Sequence, residues 1–165
     1  MSYTPGTIVQ NSSMKIVTSA APSGQTVSTS DVTVDGSETS YTPAATDDTI
    51  CYQFTFFART YNFATTMLGR AQFTLQESTD DITYNDVSGA SSNQIFMGSQ
   101  PLAKRLITLR FMMAAYSGLK YFRIRGHAYD SITYALILHT PDYWNSTPTM
   151  IYNPTSTIYG FKEAV

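Results

Sequence analysis

In the stretch TICYQFTFFART, residues 49–60, Ile50, Tyr52, Phe54 and Phe56 recur at every second position, with Cys51, Gln53, Thr55 and Phe57 between them. Strand side chains alternate between two faces, whereas a helix would scatter these four bulky groups around its circumference. RAQFTLQES repeats the period with Ala71, Phe73 and Leu75. A strand with one apolar face must press it against another layer, so the chain is predicted to be all-β and built from packed sheets. Composition agrees, because 13% of residues are aromatic and about a quarter are Ser or Thr, types that suit a pleated, half-exposed surface.

At 165 residues the chain is long enough for one domain with a real core. From Ser2 to Thr49 it offers only short apolar islands (TIVQ, MKIVT, DVTV) and one basic residue, Lys15. That segment is predicted to be an extended N-terminal arm, residues 1–49, whose short strands pair with a larger sheet or a neighbouring subunit. Residues 50–165 are expected to form the β-sandwich, and removal of residues 1–30 is expected to leave it folded. TYNFATTMLG reads as a loop or crossover, and STDDITYNDVSGASSNQIFMGSQP as a long connection holding one or two short strands.

LAKRLITLRFMMAAYSG fits two patterns. Leu102, Leu106, Leu109, Met113 and Tyr116 make a helical stripe, while Ile107, Leu109, Phe111 and Met113 alternate as in a strand. The strand is preferred, because Ile, Thr and Phe fill its centre and YSGLK makes a hairpin into YFRIRGHAY. There Phe122 and Ile124 should face the core and Tyr121, Arg123 and Arg125 the solvent or a partner, with the arginine stems over neighbouring tyrosines. Gly126 should mark a bulge or a close backbone approach. A last strand, SITYALILHT, completes about eight strands and no helix, which describes an antiparallel sandwich of jelly-roll type.

The formal net charge of −2, with pI near 5.5, leaves no basic excess for nucleic acid. No apolar run approaches the length that spans a bilayer, and MSYTPGTIVQ has no signal-peptide pattern, so the reading is no membrane and synthesis in a cytoplasm. Cys51 is alone and reads as a small buried hydrophobe. His127 and His139, placed in adjacent strands, could meet across a hairpin, yet without a carboxylate motif they read as structural. The pairs Asp47-Asp48 and Asp80-Asp81 read as turn caps rather than calcium ligands. With no G-x-S-x-G, H-E-x-x-H, P-loop or G-x-G-x-x-G, the expectation is no enzyme, no catalytic or metal residues and no cofactor. Tyr143 and Trp144 in HTPDYWNSTP are candidates for stacking on a sugar or anchoring a protein, with capping of the core as the other reading.

Five segments carry a resemblance: PGTIVQ, GSETSYTPAATDDTICYQFTF, ITLRFMMAAYSG, HTPDYW and YNPTSTIYGFKEAV. Their layout resembles that of small β-rich virion structural proteins of marine tailed bacteriophages and algal viruses. The resemblance implies a virion component, either a fibre or spike domain or a capsid-decorating or minor capsid protein. Without a collagen-like or coiled-coil shaft, the decoration type fits better. It would assemble with capsid or tail proteins through its arm, where Thr7, Ile8, Val9 and Gln10 lie, and present the jelly roll outward. RLITLRFMMAAY and YALILHT are apolar on both alternations, so a homotrimer with one strand face at the three-fold contact is expected. The alternative is a carbohydrate- or receptor-binding module that contacts a host glycan through Tyr143, Trp144, Arg123 and Arg125.

Overall fold

The computed structural model describes residues 8–19, 24–60, 68–97, 104–129, 135–140 and 152–163; no helix occurs among them. The long alternating run becomes β5 (Thr49–Thr60), the central strand of the first sheet. One edge of β5 pairs along its length with β8 (Lys104–Ala114), from Thr49↔Ala114 to Arg59↔Lys104. Its other edge is shared by β11 (Thr155–Glu163) and β10 (Leu136–Leu138), which lie end to end. Outside these, β1 (Ile8–Thr18) pairs with β11 and β2 (Gln25–Val27) with β10.

The second sheet has the same plan. In it β6 (Leu68–Ser78) pairs with β7 (Asn85–Met97) and β9 (Lys120–Ala128). Short β3 (Val32–Thr33) and β4 (Thr39–Tyr41) share the far edge of β9. Counting each interrupted line once gives eight strand lines. Their order is first, eighth, third and sixth in one sheet and second, seventh, fourth and fifth in the other. That order, antiparallel throughout, is a jelly roll.

The two sheets meet through the inward residues of β5. Tyr52 and Phe56 reach across to Phe122 and Phe73, with ring centroids 6.3 and 5.3 Å apart. All four rings are fully buried with Leu75, Leu109, Ile124, Leu136 and Leu138. The buried Tyr52 hydroxyl donates to the Ser37 carbonyl, and Ser37 Oγ donates to the Val34 carbonyl at 2.6 Å while accepting the Ile124 amide at 2.9 Å. The two hydroxyls together tie the Ser37 loop to both sheets. Gly126 is a close approach as expected, since a Cβ there would meet Val34, Phe73 and Val27 at 3.2–3.3 Å.

Three expectations are corrected. The short strands of residues 1–49 do pair with the larger sheets, but as integral lines of them rather than as an arm outside the sandwich: β1 to β4 complete both sheets, and Val27, Val34 and Tyr41 lie in the core. Each island needs little apolar period of its own because it pairs along β9, β10 or β11. Consequently, removal of residues 1–30 takes away β1, β2 and the buried Val27. NDVSGASSNQIFM forms one thirteen-residue strand rather than one or two short strands within a connection, since an edge strand exposed on one side tolerates Ser and Asn. Gly89, at φ +73°, accommodates the register shift opposite Thr74–Gln76. Finally, β9 and β10 belong to different sheets, so His127 and His139 do not meet.

Phe122→Ala is expected to lower stability by about 3–5 kcal/mol, and Gly126→Val by about 1–3 kcal/mol through overpacking. Urea unfolding followed by tyrosine fluorescence checks both. Deletion of residues 1–30 should abolish the cooperative transition, and a truncated chain that unfolds like the intact one would contradict the assignment of β1 and β2.

Candidate functional site

The outer faces of the two sheets differ in kind. On the first, alternation turns Leu106, Thr108, Arg110 and Met112 of β8 away from the core, while Ile107, Leu109 and Phe111 point in. At the opposite edge of that sheet Met14 and Ile16 of β1 are 53% and 61% exposed, against 57% and 48% for Leu106 and Met112. Between these edge strands lie Thr157, Gln53, Thr55 and half-buried Tyr159. Arg110 is the one exposed charge among the described side chains of β5, β8 and β11 that turn outward. Its Nε donates to Cys51 Sγ at 3.3 Å and an Nη to the Tyr159 hydroxyl at 3.3 Å. Cys51 is buried as expected, with its sulfur beneath this arginine.

The second outer face is ionic. The arginines of YFRIRGHAY point outward from β9 and are held there. Arg123 lies 3.8 Å over the Tyr84 ring and donates to Gln76 Oε1 at 2.9 Å. Arg125 pairs instead with Asp31 and Asp86, each at 2.8 Å, and Asp31 also meets His127 Nδ1 at 2.9 Å. Lys120 bonds Glu77 at 2.9 Å, and Arg70 stacks at 4.0 Å on Tyr129. Most of these basic groups are therefore held by a neighbouring carboxylate, amide or ring, each exposed pair being worth at most about 1 kcal/mol. Sequence reading could not locate Asp31 and Asp86, which are more than thirty residues from Arg125.

Where β4, β9 and the β6–β7 turn approach the edge of β1, a groove of about 440 Å³ opens. Lys15 crosses the seam between the sheets and donates to Ser40 O and Oγ at 2.9 and 3.0 Å. The turn is closed by Asp80 Oδ1, which accepts the Thr83 and Ile82 amides at 2.8 and 2.9 Å. Those amides, with the Ser78 hydroxyl, hold the Asp80 carboxyl down to about 2. Asp81 follows at φ +61° and accepts the Tyr84 hydroxyl. Both acidic pairs thus act in turns, Asp47 Oδ2 likewise accepting the Ala44 amide at 2.8 Å. No group of three or more His, Cys, Asp or Glu side chains fit to hold a metal occurs among the described residues.

Of the other candidates, Thr7, Tyr143 and Trp144 lie outside the described residues. Ile8, Val9 and Gln10 open β1, where Ile8 and Gln10 pair with Glu163 and Lys162 of the same chain and Val9 sits at a register shift. His139 directly follows β10 at φ +64°, fully buried, with no hydrogen bond to either ring nitrogen among the described residues. Burial pushes its pKa down to about 4.

No protein-family model matches the chain, and no curated protein matches its sequence. Among solved structures it is similar to the globular domain of zebrafish complement 1qA protein, at 14% identity over 74% of this chain and 68% of that one, with a TM-score of 0.29. It is also similar to Eiger TNF from S. frugiperda, at 9% identity over 86% and 94%, TM-score 0.34. A third likeness is to the EclA C-terminal domain, a sugar-binding protein, at 11% identity over 74% and 79%, TM-score 0.32. At such values the jelly-roll assignment rests on the strand order and register of this chain.

His139 carries a pH prediction. Its folded pKa lies below the unfolded value, so the unfolded chain binds the extra proton. Stability is full above pH 6.5 and falls as pH drops from there through about 4, by up to about 3 kcal/mol. His139→Asn, which tolerates the same backbone, should flatten that span in urea titrations; parallel slopes for the two proteins would refute the assignment.

Proposed function

We propose that this chain is a non-enzymatic jelly roll that works by association, copies closing as a homotrimer through the outer face of the β1–β11–β5–β8 sheet. The carrying observation is the placement of exposed apolar residues: Met14 and Ile16 at one edge of that sheet, Leu106 and Met112 at the other. Two separate apolar edges suit a head-to-tail contact, one edge of a copy against the opposite edge of the next. Head-to-tail contacts between unlike edges close as rings, of which three copies form the smallest; a two-fold dimer could also set each edge against the other, and the measured mass separates the two. The scarcity of charge on this face supports burial, and the ionic β9–β6–β7 face supports exposure to solvent and partners.

In this reading the chain is a virion component of the capsid-decorating or minor capsid type, bound to other virion proteins. That setting is supported by the sequence resemblance alone. A second reading, a carbohydrate- or receptor-binding module, is favoured by the polar groove beside Tyr121.

Sedimentation equilibrium should give a mass of three chains for the purified protein. Ile16→Glu and Leu106→Glu, one at each edge, should each release monomers with unchanged circular dichroism. A monomeric or dimeric parent, or trimers that survive both substitutions, would end the trimer proposal.

A further inference from the structure

We propose that the groove between β1, β4, β9 and the β6–β7 turn binds a neutral saccharide of one or two hexose units. This deepens the carbohydrate-binding reading and rests on it, but moves the site from Tyr143 and Trp144 to residues brought together by the fold.

The first argument is charge. Lys15 and Arg123 face Glu38 and Asp81 around the groove, two cations against two carboxylates. Balanced charge gives no net field to favour phosphate, nucleic acid or a polycation, yet it supplies strong donors and acceptors side by side. That combination matches hydroxyl groups, which donate and accept at once.

The second is which groups remain free. Lys15, Asp81 and Tyr84 are engaged by Ser40 and by one another, and Arg123 is fixed by Gln76 and the Tyr84 ring. That leaves the Arg123 Nη groups, which make no hydrogen bond within the described residues. Glu38 is exposed and has no side-chain partner there. Tyr121, half-buried between Ser40 of β4 and Ser78 of β6, has neither a ring partner nor a hydroxyl partner there. A tyrosine face for the C–H side of a pyranose, with a carboxylate and a guanidinium for adjacent hydroxyls, is the complement of a sugar ring. The third is size and order. A volume of about 440 Å³ falls in the range of small-ligand sites, and the Asp80 turn and the Lys15 bridge fix the walls beforehand, which limits the entropy lost on binding.

The test is an amide-resolved NMR titration of the full chain with glucose, galactose, mannose, fucose, N-acetylglucosamine and their common disaccharides, with saturation transfer to the sugar. We expect at least one to bind, shifting the amides of Ser40, Tyr121 and Arg123. Tyr121→Ala and Glu38→Gln should each weaken it about ten-fold, whereas Tyr121→Phe and the distant His127→Ala should not. Amide spectra of each variant report whether it is folded.

If a neutral sugar binds but is indifferent to Tyr121→Ala and Glu38→Gln and lost in Trp144→Ala, the groove proposal falls while the carbohydrate reading stands. If only inorganic phosphate or sulfated sugars bind, the ligand class is wrong. If no sugar in the panel binds at millimolar concentration, both the groove site and the carbohydrate reading fail.

Discussion

The contact on which the rest of the molecule depends is the inward face of β5 against β6 and β9. Tyr52, Phe54 and Phe56 supply the bulk that spans the interior, and Tyr52 adds a hydroxyl that reaches the Ser37 loop. Burying such rings drives the two sheets together, and the geometry of the ring pairs limits how the sheets can slide. The buried hydroxyl adds direction, because an unpaired phenol in the core would cost about 1–3 kcal/mol. Since β5 also pairs with β8, β10 and β11, its register sets that of the whole first sheet.

With the interior settled, the two outer faces are free to diverge. One carries ion pairs and stacked cations that are self-sufficient in water. On the other, methionine, isoleucine and leucine stand exposed on the edge strands with one arginine between them. Edge strands are the places where a sheet is most readily extended or covered, and an apolar pair on each edge is a liability in an isolated copy. The proposed association would answer that liability through the outer face of the first sheet, and the ionic face belongs to the other sheet.

Much of the fold was legible. Alternation identified β5, β6 and β9, whose large apolar side chains fall mostly on one face, and it placed Phe122 and Ile124 inward and Arg123 and Arg125 outward; β8, apolar on both faces, reads as a strand from the Ile, Thr and Phe at its centre. Alternation failed where side chains are small or polar on both faces. β7 reads only as one or two short strands within a long connection because Ser, Asn and Gly dominate it, and β1 to β4 read as an arm with short strands because such islands have too little period to be placed. Those strands are specified by the neighbours they pair with rather than by their own pattern.

The site was less legible, for a reason of distance. The sequence by itself determined the all-β class, the inward aromatic ladder of β5 and the turn-capping role of Asp80, since each depends on residues a few positions apart. Only the tertiary structure decided that Arg125 would meet Asp31 and Asp86, that His127 and His139 would lie in different sheets, and that Lys15, Glu38, Asp81, Tyr121 and Arg123 would surround one groove. In a jelly roll successive lines cross between sheets, so adjacency in space is set by the winding of the chain, which local side-chain periodicity does not encode.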